Sequence, residues 1–347
     1  RRSVASAMKR AVLAAVALVA TAEAFSFSPS PLSFRSYDQK LACKRAPLSL
    51  QMLLGVPKQV LVTGASGRTG FLTFTKLREL EKEFYVRGLV RSQKGAKKLE
   101  TTGASLGDSE KIKEQNAKMR AMGMPADDDE PEVFVGDIMD RDSIQAAFDD
   151  LDALVILTSG VPKLRKREIV KTVLSKLIGR QRMPKFYYDQ MPEEVDWLGC
   201  KCQIDLAKEK GIEHVVLVSS MGVSPQKNTP DNTLNKIGGG NILVWKAKAE
   251  DYLKESGLTY TIIHPGGLTN KPGGERELVL GTDDSLLDNY EQLGATRTIP
   301  REDVANLVIE VLRHKELVAN KSFDVVTKDV GVGTPTKDWE SLFKTLP

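Results

Sequence analysis

Apolar positions along this chain follow two alternating rhythms. Short runs in which almost every residue is apolar, at 58–63, 84–90, 132–135, 153–158, 214–219 and 258–264, predict strands buried on both faces. Between them, apolar residues recur every three or four positions at 69–80, 195–209, 242–256 and 301–314, which predicts helices with one buried stripe. Gly257 stands just past the third of these helices, where a left-handed residue closes a helix. Asp140 stands where it would cap a short helix over 143–148. Strands alternating with helices predict an α/β fold, a Rossmann-like doubly wound parallel sheet with helices on both faces. A last strand is expected at 323–326, near the rim of the sheet. Loops beyond the carboxyl ends of the strands would then carry the ligand contacts.

Two stretches break the rhythm. Residues 92–131 are polar and highly charged, an excursion longer than a plain strand–helix–strand unit needs, with a helix expected over 109–122. Its acidic run at 127–130 reads as a solvated face. Residues 161–194 mix basic and aromatic residues with two Met-Pro pairs, and predict a loop region near the substrate side with a helix over 166–178.

The N-terminus has a different composition again. Arg1, Arg2, Lys9 and Arg10 flank an unbroken apolar run at 11–20, followed by Ala22-Glu23-Ala24, a small-x-small cleavage pattern. That is the layout of a signal peptide. The run falls short of the roughly 20 residues that span a bilayer, so no transmembrane segment is expected in the mature chain. Residues 25–54 are rich in Ser and Pro, with basic residues and a single acid, Asp38, as in a plastid transit peptide. Together they resemble the bipartite leader of algae with complex plastids. Residues 1–54 are therefore expected to be a targeting leader, and 55–347 a single domain with a C-terminal substrate or partner region. Plastid import is the expectation, secretion the alternative. The net charge of +4 includes part of this leader and gives no reason to expect a nucleic-acid partner. Three cysteines make no disulfide framework, and Cys200 and Cys202, two apart on a helix, point to different faces, with no metal site around them.

The chemistry begins where the first strand ends, at Val62-Thr63-Gly64-Ala65-Ser66-Gly67-Arg68-Thr69-Gly70. Gly64 turns the chain, Gly67 leaves room for a pyrophosphate, and Gly70 lets helix and sheet approach. Backbone N–H groups from Ser66 to Gly70 then face phosphate oxygens at the helix start. The second strand ends in Arg91-Ser92, where an NAD site would place an acid for the ribose 2′-hydroxyl. Arg91 suits a 2′-phosphate instead, with Arg68 and Lys94 nearby in sequence, so NADP(H) is favoured over NAD(H). Asp137, past the third strand, either meets the adenine amine or serves the loop, and Thr158 ends the fourth strand beside the same crevice.

The glycine turn resembles that of the short-chain dehydrogenase/reductase superfamily. Gly136-Asp137, 153–158, Val195-Asp196-Trp197, 241–246 and 262–267 resemble, more narrowly, its atypical group, the NmrA-like NAD(P)-binding proteins of plants and algae. This resemblance covers roughly 56–326 and implies a plastid oxidoreductase with a small organic substrate, or a non-enzymatic NADP(H)-responsive scaffold or assembly factor with a plastid protein partner. It places the superfamily's serine at Ser219 or its neighbour Ser220, and its lysine at Lys246, whose Ala249 and Glu250 match the following stretch. Pro265-Gly266-Gly267 resembles the loop that passes the nicotinamide, with His264 where the group often has arginine; His264 either carries a proton or fills the strand end. The tyrosine expected four residues before the lysine is replaced by Ile242, which transfers no proton. Tyr187, Tyr188 and Tyr252 are the candidates to replace it in space.

Overall fold

The computed structural model describes residues 57–104, 132–177 and 184–347. The expected leader, the helix over 109–122 and the acidic run at 127–130 lie outside the described residues. The chain divides into two units, 1–57 with 81–83, and 58–80 with 84–347; the second carries the fold.

In that second unit the main sheet runs through β1 (Lys58–Thr63), β2 (Phe84–Val90), β3 (Val133–Val135), β4 (Ala153–Ile156), β7 (His214–Val218), β8 (Tyr260–Pro265), β10 (Leu278–Gly281) and β12 (Lys321–Thr327). Two short pairs stand outside it: β5 (Lys163–Leu164) with β6 (Phe186–Tyr187), antiparallel, and β9 (Gly267–Thr269) with β11 (Thr298–Pro300), parallel. The spatial order of the main sheet is β10-β12-β8-β7-β4-β1-β2-β3. All neighbours pair parallel except β10 with β12. The chain winds one way from β1 to β3 and the other way from β4 outward. The crevice at this reversal, between the carboxyl ends of β1 and β4, is where open α/β sheets bind ligands.

Side chains of β1 alternate between the two faces, as a period of two requires. Val60 and Val62 join a core with Phe74 and Leu77 of helix α1 (Arg68–Glu79). Leu61 joins the opposite core with Leu154, Ile156 and Val215. Helix α2 (Gln93–Glu100) adds Ala96 and Leu99 to the first core. Helix α3 (Lys166–Leu177) follows β5. Helices α4 (Cys200–Lys210) and α5 (Ile242–Glu255) cover the second face through Ile204, Ala207, Ala249 and Leu253. Helix α6 (Arg301–Arg313) packs Val304, Leu307 and Val308 on the first. Each fully buried aliphatic or Phe side chain removes enough surface from water to contribute about 1.5–3 kcal/mol, which is why two apolar faces on every central strand demand two helical layers. No helix among the described residues is long and apolar enough to cross a membrane.

The structure departs from the pattern in four places. Asp140 occupies the N-cap of Arg141–Ile144, but its side chain makes no capping bond there; Ser143 Oγ instead donates to the Asp140 carbonyl at 2.7 Å. The last strand is not at the rim: β12 lies between β8 and β10, because 278–281, bounded by charged residues, also pairs. The helix expected over 195–209 opens instead as a π-helical turn, Glu193–Gly199, before α4. Its start is tied by Glu194, whose carboxylate accepts the Met191 N–H at 2.7 Å. Finally, Gln93–Glu100, read as excursion, is a helix capped by Ser92 Oγ, which accepts the Gly95 N–H.

Candidate functional site

At the crevice, the glycine turn is shaped by contacts that leave no room for side chains. Gly64 has φ +67°, and a Cβ there would lie 2.9 Å from the Leu157 carbonyl oxygen, at the end of β4. A Cβ on Gly70 would overlap the Gly64 carbonyl oxygen. The Gly67 N–H donates back to that carbonyl at 2.8 Å. Gly67 also caps α1 without any side-chain acceptor. The first-turn N–H groups of Arg68, Thr69 and Gly70 have no carbonyl one turn back to bond, and they are the positive end of a 12-residue helix. A turn filled by any Cβ and a helix start without its own acceptor fit a dinucleotide pyrophosphate. Ser66 lies in the same turn, its carbonyl accepting from Lys98 Nζ at 2.9 Å.

Around the turn the structure gathers cations, though not all those expected. Lys98 sits over the Phe71 ring, 4.3 Å from its centroid, and partial burial lowers its pKa. Lys94 and Lys98 both lie on α2, and Lys98, one turn further on, reaches Ser66. Arg68 is exposed at the start of α1. Arg301, buried at the start of α6, donates to Asn270 Oδ1 at 2.7 Å, and burial together with the Arg68 charge lowers its pKa. Arg91 donates to Gln190 Oε1, and Gln190 Nε2 donates to Asp137 Oδ2 at 3.1 Å. The other Asp137 oxygen accepts the Met139 N–H at 3.0 Å, so this carboxylate organises its own loop and tethers Gln190.

A second group of residues lies beside the end of β4. Asp196, buried by the π-helical turn, accepts Ser159 Oγ and the Gly160 N–H, each at 2.8 Å, and pairs with Lys246 Nζ at 2.9 Å. Lys246 is thereby aimed from α5 toward the strand ends rather than left to solvent. Thr158 Oγ1 accepts from Gln203 Nε2 at 3.3 Å, and its backbone N–H lies against Gly64. Ile242, one turn before Lys246, is half-buried and apolar.

A third group joins the ends of β7, β8 and β12. Ser219 Oγ donates to Glu250 Oε1. The second Glu250 oxygen faces His264 Nε2 at 3.0 Å, and His264 Nδ1 faces Asp324 Oδ1 at 3.3 Å. His264 and Asp324 are register partners on β8 and β12, so the pleat puts their side chains side by side. Burial by itself would lower the His264 pKa, but the Glu250 charge and hydrogen bonds to both carboxylates raise it to about 9. Burial raises the Asp324 pKa, against the opposing pull of His264. Of the two serines named by sequence, Ser219 enters this cluster; Ser220 Oγ donates to the adjacent Met221 carbonyl. Pro265 ends β8, its carbonyl accepting the Met221 N–H at 3.2 Å, and Gly266 N–H donates to Val325 at 3.0 Å. The cluster opens on a cleft of about 950 Å³ lined by Ser224, Lys227, Ala247, Glu250, Asp251 and His264.

The three tyrosines named by sequence each have contacts of their own. Tyr252 donates to Asp205 Oδ1 at 2.6 Å. Tyr187 lies in β6 with its ring under Arg165. Tyr188 comes nearest in charge: burial and Asp196 raise its pKa, but its hydroxyl donates to the Ile237 carbonyl at 3.1 Å. Cys200 is a buried thiol, with its pKa pushed up to about 12 by burial, and is unsuited to be a nucleophile at neutral pH.

Comparison with known proteins agrees with the fold and gives the family. A family model described as NAD(P)H-binding matches residues 116–315. Over 300 residues the chain is 43% identical to sanguinarine reductase of Eschscholzia californica, covering 83% of this chain and 95% of that protein. It is 43% identical over 289 residues to an uncharacterized chloroplastic protein of Arabidopsis thaliana, covering 83% of this chain and 75% of that one. Among solved structures, a Bacillus halodurans protein named as an NAD-dependent epimerase/dehydratase superposes with a TM-score of 0.52 at 22% identity, over 79% of this chain and 95% of that one, a likeness of fold.

Proposed function

Since the chain belongs to the NAD(P)H-binding family, within the atypical short-chain dehydrogenases/reductases that its motifs resemble, we propose that it is an NADP(H)-dependent oxidoreductase of the plastid acting on a small organic substrate. The observation that carries this reading is the glycine turn, with Arg68 and Lys98 at the open start of α1 and Arg91 just past the end of β2. Basic groups on the Arg91 side favour a 2′-phosphate, hence NADP(H) before NAD(H). A bound nicotinamide supplies a hydride. The chain's own residues would hold and orient its substrate. Lys246, fixed by Asp196, would bind ribose hydroxyls and raise the local positive potential. Ser219 would meet a substrate oxygen at the end of β7. Pro265 and Gly266 would border the nicotinamide, and Thr158 the crevice floor.

Two relatives support parts of this reading: one is named as a reductase and the other as chloroplastic. Residues 1–54 would be the leader that carries the remaining domain, 55–347, into a complex plastid; secretion is the alternative address. The test is NADPH consumption with a panel of quinones and carbonyl compounds. Turnover abolished by Ser219→Ala with NADPH still bound, and lost in Lys246→Ala together with weaker NADPH binding, supports the reading. A wild-type protein that holds NADPH and reduces nothing in the panel contradicts it.

Ile242 in place of the proton-donating tyrosine favours one second reading, an NADP(H)-responsive scaffold for a plastid protein partner. Partner capture that is indifferent to the cofactor's redox state would contradict that version.

A further inference from the structure

The four groups Ser219, Glu250, His264 and Asp324 form one continuous buried chain. Glu250 links two surroundings. Lys246, Ala249 and Leu253 lie on the buried face of α5, whereas Ala247, Asp251 and Lys254 line the cleft. Glu250 belongs to both: it is buried, binds Ser219 with one oxygen, and lines the cleft. His264 presents both ring nitrogens to carboxylates. A neutral imidazole has one N–H and would turn a lone pair toward one of them; the doubly protonated ring donates to both.

We propose that Glu250 is the proton relay of this site, exchanging protons with cleft water and acting on the substrate through Ser219, in place of the missing tyrosine. The inference rests on the oxidoreductase reading above. In the oxidative direction, a substrate alcohol gives its O–H proton to Ser219 Oγ as the Ser219 proton passes to Glu250 Oε1. The substrate carbon gives up its hydride, with both bonding electrons, to the oxidised nicotinamide dinucleotide, and the C–O single bond becomes a carbonyl. Glu250, now a neutral acid, releases its proton to water in the cleft. Reduction of a carbonyl runs the same steps backwards, with the hydride coming from the reduced dinucleotide. His264 and Asp324 are positioning residues: the imidazolium is a fixed counter-charge to Glu250, and Asp324 holds the ring's far nitrogen. Charged groups facing this centre include Lys254, 3.9 Å from Glu250 Oε2, Asp284, whose charge acts on Asp324, and Lys227, Asp251, Asp283 and Asp288, which line the cleft with Glu250 and His264.

The test has one arm without turnover and one with it. The chain contains 3 histidines, so imidazole resonances of the ligand-free protein can be assigned by substitution. His264 should stay doubly protonated above pH 8 in the wild type, and its pKa should fall by about 1–3 units in Glu250→Gln. In the second arm, reduction of 4-nitrobenzaldehyde by NADPH should slow about 100-fold in Glu250→Gln with KM for NADPH unchanged, flatten in its pH profile, and recover in part in Glu250→Asp. Calorimetric NADPH affinity should be equal in wild type and Glu250→Gln, which separates the relay from folding and cofactor binding. His264 titrating below pH 6.5, or a wild-type rate and pH profile in Glu250→Gln, overturns the relay alone. Failure of the wild type to bind NADPH overturns the functional reading on which it rests.

Discussion

At single positions the account turns on groups that have no freedom to change. Gly70→Ala pushes a methyl group into the Gly64 carbonyl, so the turn must open. We expect a loss of about 1–3 kcal/mol in denaturant unfolding and at least tenfold weaker dinucleotide binding. Asp196→Asn leaves the Lys246 charge buried without its counter-ion, and an unfolding loss of about 3–5 kcal/mol is expected; a loss under 1 kcal/mol would show the pair to be solvated. The histidines set the pH profile. His264 has a folded pKa of about 9, above its unfolded value near 6.5, so its stabilisation is complete below pH 6.5 and lost as pH rises through 9. His214, with a folded pKa of about 3 from burial, acts in reverse: its contribution is complete above pH 6.5 and lost as pH falls toward 3. Unfolding free energy should therefore fall on both sides of pH 6.5 from these two groups. His264→Gln should flatten the alkaline side, and His214→Gln the acid side, in denaturant midpoints measured across pH.

Among elements, those with strong periodicity were readable and those set by distant partners were not. The glycine turn, α1 and β2 follow from local residues, and α5 ends where its pattern stops, at Gly257 with φ +82°. Gly257→Ala puts a Cβ into open space but into a left-handed backbone; about 1–2 kcal/mol of stability should go, with dinucleotide affinity intact. By contrast, the π-helical turn before α4 leaves no periodic signal, because it is shaped by Asp196 reaching Ser159, Gly160 and Lys246, the last of them 50 residues away by numbering, 246 less 196. Glu250 could be matched to a motif but not to a role, since its partners Ser219, just past β7, and His264, on β8, are distant in sequence. Lys98 carries no motif signal of its own, because only the helix start set by Ser92 turns it back to Ser66.

For the whole molecule, winding order is what makes these residues one site. The reversal between β1 and β4 opens the crevice, β7 and β8 deliver Ser219 and Pro265 to the same edge, and α5 spans them with Lys246 and Glu250. Residues from 64 to 324 converge there although few lie close in sequence. Cofactor choice is decided by calorimetric titration of the protein with NADPH and NADH, in wild type and in Arg91→Ala. NADPH should bind at least tenfold tighter than NADH and weaken by about 1.5–3 kcal/mol in Arg91→Ala, with NADH little changed. Binding of neither dinucleotide, or equal affinity for both with Arg91 irrelevant, would contradict NADP(H) as the cofactor.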